Sequence, residues 1–477
     1  MADFQYLTAS EILERIKMEQ VSAKEVLTSL INRIKSVNGS VNAIVQLDET
    51  GALSQAEAID KQLRAGKNAG PLAGLPITIK DNIEVSGMIT TGGILGRKDY
   101  VPTYTAPVVQ RLRDAGAIIL GKTNCPPFCA GFETENDIYG LTKNPYDISK
   151  TVGSSSGGEA AIIAAGGSYL GIGSDSGGSM RWPSHFCGIT SLVPTFGRVP
   201  RTGTIPPYFG FLDTTQIGPM ARSVKDLSLI LPIIMGPDNS DSRCMPLSYH
   251  DPEIVSLEKL SIAYYTDNGF VEPHKTVKQV ISKAVESLEK LDLDLEEKYP
   301  PATHEFYDVG GGLNRFSANI DRDTIPEIRE WEEPIEMYPD KIYNLADSWL
   351  AKAKTAKGDG AMLGLEFYFW SIKWDTYRSK ILQFMKKYDA IICPISAIPA
   401  FPHGESSSSE FNPLELLSYT HPYSLVGLPS VALSGGTTNT GLPIGFQVIS
   451  NHGNESLILK LGSYLEEMLG GFQPPSL

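Results

Sequence analysis

Nowhere in its 477 residues does the chain hold about 18 apolar residues in succession, so no membrane span is expected. Lys/Arg runs are missing too. With 41 basic against 55 acidic side chains the formal charge is −14. That balance opposes nonspecific attraction to nucleic acid or anionic lipid, and no nucleic-acid partner is expected. Cysteine is scarce. Cys125, Cys129, Cys187, Cys244 and Cys393 are odd in number and scattered, which argues for reduced thiols rather than a disulfide framework. Cys125 and Cys129 stand four apart, but no second Cys or His pair at zinc-like spacing accompanies them, so neither metal nor other cofactor is expected. The opening MADFQYLTASEILERIKMEQ lacks a basic n-region and an apolar h-region, so a secretory leader is not expected and a cytoplasmic location is.

What is present reads as an ordinary globular chain, 42% hydrophobic and long enough to bury a large core unaided. Thr8 with Glu11, and Ser22 with Glu25, predict two capping boxes that open amphipathic helices. LPITIK, from Leu75, reads as a buried strand, PVVQRLRDAG as a helix and AIILGK as the next strand. LSIAYYT repeats the strand signal, and Val277, Val280, Ile281, Ala284, Val285 and Leu288 then share a helical face. DAIICP and PIGFQVIS predict late strands. Leu457, Ile458, Leu461, Tyr464, Leu465 and Met468 predict a closing helix. Such alternation implies one α/β sheet with helices on both faces. GESSSSEF, Gly404 to Phe411, reads as a mobile surface loop. The segment from about 300 to 380 has no clear strand and reads as a mostly helical insertion.

Serines crowd the stretch GSSSGGEAAIIAAGGSYLGIGSDSGGSMR, which runs from Gly153 to Arg181. Gly153 to Gly157 fits the G-x-S-x-G nucleophile elbow, but the polar, Pro145-broken KNPYDISKT before it is a poor buried strand. A triad would also need a histidine, and His185 and His421 carry no local signature. Ser176-Gly177-Gly178-Ser179 fits a turn that aims successive backbone amides at an oxyanion, or a plain glycine turn. Ser154, Ser155 and Ser156, at the start of an Ala/Ile-rich helix, read by composition first as a helix cap.

GLPITIKDNIEVSGMITTGG, SSSGGEAAIIAAGG and GSDSGGSMRWPSHFCG resemble the three successive signatures of the amidase signature family. VNAIV, GAIILGKTN, TKNPYD and the pair GLPSVAL and GLPIGFQVIS extend the likeness over 1–235 and 385–470. The resemblance implies one domain over 1–477 around a twisted mixed β-sheet, and an amidase with a Ser–cis-Ser–Lys triad. Carried over, Ser179 is the nucleophile, Ser155 the bridging serine after a cis Ser154–Ser155 peptide, and Lys80 the final base, uncharged through burial. The amides of Ser176, Gly177, Gly178 and Ser179 would hold the oxyanion, with Ser156, Asp175 and Arg181 bracing the loops. His185 and Cys187 would pack beneath them.

The expected substrate is a small-molecule amide or carbamate: simple or aryl amides, fatty amides and carbamates all qualify. A homodimer is allowed for. The other reading is the A subunit of a glutamyl-tRNA amidotransferase, supplying ammonia from glutamine. SGGE and SMRWP resemble the free amidases instead, and Leu417 stands where those subunits tend to carry a glutamine-holding Asp. A silent binding protein on the same scaffold is disfavoured by the intact Lys80, Ser155 and Ser179. Trp331, Phe367 and Trp370, in the aromatic-rich insertion, are the expected walls of a substrate pocket.

Overall fold

The computed structural model describes residues 4–206, 214–310 and 360–477, the side chains of 360–367 excepted. Both capping boxes form. Thr8 Oγ1 accepts the Glu11 amide at 3.2 Å and Glu11 Oε2 accepts the Thr8 amide at 2.7 Å, opening the helix Ala9–Lys17. Ser22 and Glu25 do the same at 3.1 and 2.8 Å before the helix Ala23–Val41. Each reciprocal pair satisfies amides that a helix start leaves without partners.

The strands, in chain order, are β1 (Ile44–Leu47), β2 (Pro76–Lys80) and β3 (Ile118–Thr123). Two short hairpins follow, β4 (Glu135–Asn136) with β5 (Gly140–Leu141) and β6 (Lys143–Asn144) with β7 (Asp147–Thr151). Then come β8 (Leu170–Asp175), β9 (Thr190–Val193), β10 (Gln216–Ala221), β11 (Ser261–Tyr264) and β12 (Asp294–Glu297). β13 (Ala390–Pro394), β14 (Ser430–Thr437) and β15 (Pro443–Ser450) complete the set. Eleven of them build one mixed sheet in the order β1-β3-β2-β8-β10-β9-β14-β15-β13-β11-β12. β2 runs parallel to β3 and β8, and β11 parallel to β12 and β13. The remaining pairs are antiparallel.

β2, β3, β8, β10 and β15 are buried at every position, as strands covered on both faces must be. The predicted strands LPITIK, AIILGK, DAIICP and PIGFQVIS are all here. The closing helix Glu455–Leu469 buries Leu457, Ile458, Leu461 and Leu465. Met468, predicted on that face, is instead 40% exposed, in the last turn before the Gly470 cap. The serine-rich loop lies at the surface as expected, yet Glu133 holds it by accepting the Gly404 and Ser406 amides.

Of the segment from about 300 to 380, the described parts are the turn Pro301–Glu305, residues 306–310 in helical conformation, and the helix Gly360–Met385. Trp331 and the Phe367 side chain lie outside the described residues. Among the described residues no helix is long and apolar enough to cross a membrane.

Candidate active site

β2 sits between β3 and β8, so a side chain at its end is enclosed from both sides. Lys80 is that end residue and has no exposed surface. Its Nζ donates to Ser155 Oγ at 2.6 Å and to Ser174 Oγ at 2.9 Å. The Ser154–Ser155 peptide is cis, and Ser155 is 1% exposed. Ser174, on β8, is a site residue that sequence reasoning misses. The only signal is its place one step before Asp175, and its relevance comes from the pairing of β8 with β2. Asn82 Nδ2 reaches the same hydroxyl at 3.4 Å.

β8 ends at Asp175, the chain turns through Ser176–Ser179, and the helix Arg181–Cys187 begins. Ser179 is half-buried, unlike the enclosed Lys80 and Ser155. Its carbonyl accepts the Ser156 amide at 2.9 Å, which ties the two serine-rich loops together. Ser156 Oγ in turn donates to the Ser174 carbonyl at 3.1 Å.

Asp175 braces the turn from below. It accepts the Met180 amide at 3.0 Å, Arg181 Nε at 3.1 Å and Arg181 Nη2 at 2.9 Å. Burial pushes this carboxyl up, but the Arg181 charge and the amide donors outweigh it and leave it below the usual carboxylate range. Arg181 continues to the Thr420 carbonyl, Gln447 Oε1 and Ser424 Oγ.

The expectation that four successive amides face one oxyanion is corrected at Gly178. Its N–H donates to Asp175 Oδ1 at 2.7 Å, because the carboxylate lies beneath the turn. Gly178 is needed for another reason: its φ is 145°, and a Cβ there would lie 2.2 Å from the Trp182 ring. The elbow reading fails on geometry. Ser155 is bonded to a lysine, and His185 Nδ1 is taken up by the Gly445 amide at 2.9 Å. His185 packs as expected, and burial pushes its pKa down to about 4. His421 stands beside Gly177 with its Nδ1 buried and, among the described residues, without a hydrogen-bond partner.

A cavity of about 350 Å³ is lined by Phe196, Met245, Trp374, Leu425 and Val426 with Arg243 and Arg378. It contains none of Lys80, Ser155 or Ser179 in its lining. Thr214 and Ser424, which do line it, bond to the Ser176 carbonyl and to Arg181. Trp370 is not in the lining. It is half-buried against an apolar cluster, and Trp374, about one turn on, faces the cavity instead. Among the described residues no group of three or more His, Cys, Asp or Glu side chains is placed to hold a metal ion.

The amidase family model matches residues 25–459. The chain belongs to the amidase signature family. This amidase is 32% identical over 495 residues to the A subunit of the glutamyl-tRNA(Gln) amidotransferase of Alkaliphilus metalliredigens, covering 98% of this chain and 97% of that one. Its fold is similar to that of 6-aminohexanoate cyclic dimer hydrolase, with a TM-score of 0.86, 25% identity and coverage of 100% and 99%. It is also similar to fatty acid amide hydrolase, with a TM-score of 0.82, 26% identity and coverage of 98% and 86%. As a member of this family the amidase is an enzyme that cleaves amide C–N bonds.

One residue of the amidase's second signature carries its own prediction. Glu159 is fully buried, accepting from Thr78 Oγ1 at 2.6 Å and from Thr123 Oγ1 at 2.9 Å. Burial raises its pKa from 4.5 to about 8, against the pull of those hydroxyls. The folded state therefore holds this proton more tightly than the unfolded chain. Glu159 favours folding most below the unfolded pKa, and that contribution is lost as pH rises through the folded value. Glu159→Gln stays neutral throughout. Relative to the variant, the wild type is expected to lose stability between about pH 5 and pH 8, on the order of a few kcal/mol. Urea unfolding of both proteins at the two pH values checks it, and parallel losses would contradict a buried neutral carboxyl.

Proposed function

We propose that this amidase is a serine amidohydrolase in which Ser179 forms an acyl-enzyme with the help of Ser155 and Lys80. Serine is a weak nucleophile until a base takes its proton. Ser155 accepts the proton of Ser179 while passing its own to Lys80. Ser179 Oγ then attacks the carbonyl carbon, and the amides of Ser176, Gly177 and Ser179 stabilise the oxyanion. The proton returns along the same path to the leaving nitrogen, the C–N bond breaks, and the amine departs. Water repeats the sequence on the acyl-enzyme. The observation that carries this reading is the 2.6 Å contact between Lys80 and Ser155, both buried, beside a half-buried Ser179.

The substrate class we favour is a bulky carboxylic amide, aryl or fatty, or a carbamate of similar size. The cavity beside the turn supports it, since organic groups bind in concave, largely apolar sites with few polar anchors. Trp374→Ala is expected to lower kcat/KM for a long-chain or aryl amide at least about tenfold more than for acetamide, as befits one lost aromatic contact. The measurement is the ratio of the two kcat/KM values in wild type and variant. An unchanged ratio would make Trp374 scaffold.

Sequence similarity to the curated relatives favours a second reading, an amidotransferase component that releases ammonia from glutamine for a partner. By that measure it is better supported than the first. Against it, Leu417 packs against an apolar cluster and offers no charge to a glutamine α-ammonium. Glutaminase activity that appears only with co-purified partner subunits would establish the second reading. Turnover of long-chain or aryl amides by the isolated chain would establish the first.

A further inference from the structure

Two thiols that the proposed relay does not use stand beside it. Lys80 on β2 pairs in register with Thr123 on β3, so the chain leaving β3 emerges next to the lysine. That chain is Asn124-Cys125-Pro126, followed by the 3₁₀ turn Pro127–Cys129. The turn is held on several sides. The Phe128 amide donates to the Gly92 carbonyl, Asn136 Nδ2 donates to the Cys125 carbonyl, and Gly93 packs so closely that a Cβ there would meet the Cys125 carbonyl at 2.7 Å. Phe128 and Cys129 both take φ of 56°, a left-handed conformation that side chains other than glycine rarely adopt.

The result is a directed thiol. Cys129 Sγ lies 3.9 Å from the Ile205 carbonyl, which also accepts from Asn82, the residue that reaches Ser174. Cys125, Lys80 and Ser155 all act on the ionisation of the Cys129 thiol. The Cys125 hydrogen bond and the Lys80 charge favour the Cys129 thiolate against the effect of burial, while Cys125 is driven the other way and keeps its proton. Of the five cysteines, all without disulfide partners, Cys129 is half-buried and the other four are buried.

We propose that Cys129 is a reversible thiol–disulfide exchange site through which a low-molecular-weight disulfide stops amide cleavage. The Cys129 thiolate attacks one sulfur of the disulfide. The S–S bond breaks, a mixed disulfide forms at Cys129, and the other half leaves as a thiolate that takes a proton from water. Cys129 is oxidised and half of the small disulfide is reduced. The added group occupies the space beside Ser155 and Lys80, so the proton path to Ser179 is blocked. A thiol reductant reverses the step. The inactivation rests on the Ser179–Ser155–Lys80 reading, whereas the exchange at Cys129 does not.

The test incubates the full chain with glutathione disulfide near pH 8. Three quantities are followed: the modified cysteine by peptide mapping, fluorophosphonate labelling of Ser179, and amide hydrolysis. The expected result is one adduct, at Cys129, with at least a tenfold fall in labelling and activity that dithiothreitol restores. Cys129→Ser should resist the disulfide, and Cys125→Ala should form the Cys129 adduct more slowly. Modification of other cysteines in preference to Cys129 overturns the proposal. So does an adduct at Cys129 that leaves labelling and turnover unchanged, or an equal loss in Cys129→Ser. If the untreated protein does not label at Ser179, the nucleophile reading has failed, and the mapping alone still decides the exchange site.

Discussion

Ser179→Ala is expected to fold like the wild type and to show no fluorophosphonate labelling, with amide hydrolysis reduced on the order of a millionfold, to background. The substitution removes one hydroxyl from a half-buried turn whose shape is held by other groups. Asp175 binds the amides of Gly178 and Met180, and the Ser179 carbonyl still receives the Ser156 amide. Stability is therefore expected to change by less than about 1 kcal/mol, since no buried polar partner is orphaned. The measurement pairs probe labelling with a melting curve. A variant that keeps near-native turnover removes Ser179 as nucleophile. A variant that melts far lower and loses activity only for that reason makes the hydroxyl structural.

The second large effect is expected at Lys80. Lys80→Met keeps the unbranched stem in its enclosed place but removes the group that bonds both Ser155 and Ser174. With no acceptor for the Ser155 proton, kcat should fall about 10²- to 10⁴-fold while KM moves little, the pattern of a lost acid–base group. Retention of more than a tenth of wild-type kcat would take Lys80 out of the relay. The two variants also separate two ideas. Lys80→Met should still be phosphonylated slowly by a reactive fluorophosphonate, with fluoride leaving, whereas Ser179→Ala should not react at all.

Local chemistry made much of the fold legible. Thr8 with Glu11 and Ser22 with Glu25 act within three residues of each other, so their outcome is written in the sequence around them. The strand ending at Lys80 could be read because it is apolar without alternation. Three serine- and glycine-rich signatures made the family legible, and with it the residues that converge at Lys80. What escaped depends on distant partners. Ser174 meets Lys80 only because β8 was laid beside β2. The loss of the Gly178 amide to Asp175 depends on the depth at which that carboxylate sits under the turn. Trp374 rather than Trp370 faces the cavity because the packing of the helix Gly360–Met385 decides which of two aromatics a turn apart points to it.

The clamp on Arg181 bears on how this enzyme is born. Lys80, Ser155 and Ser179 are all synthesised well before three of the groups that seat Arg181. Those groups are the Thr420 carbonyl, Ser424 Oγ and Gln447 Oε1. Strands β14 and β15, which extend the sheet next to β9, also come from this late region. A nascent chain therefore carries Asp175 and Arg181 before it holds these three partners of Arg181. The clamp under the turn that carries Ser179 is therefore complete only after residues more than two hundred positions further along have been made.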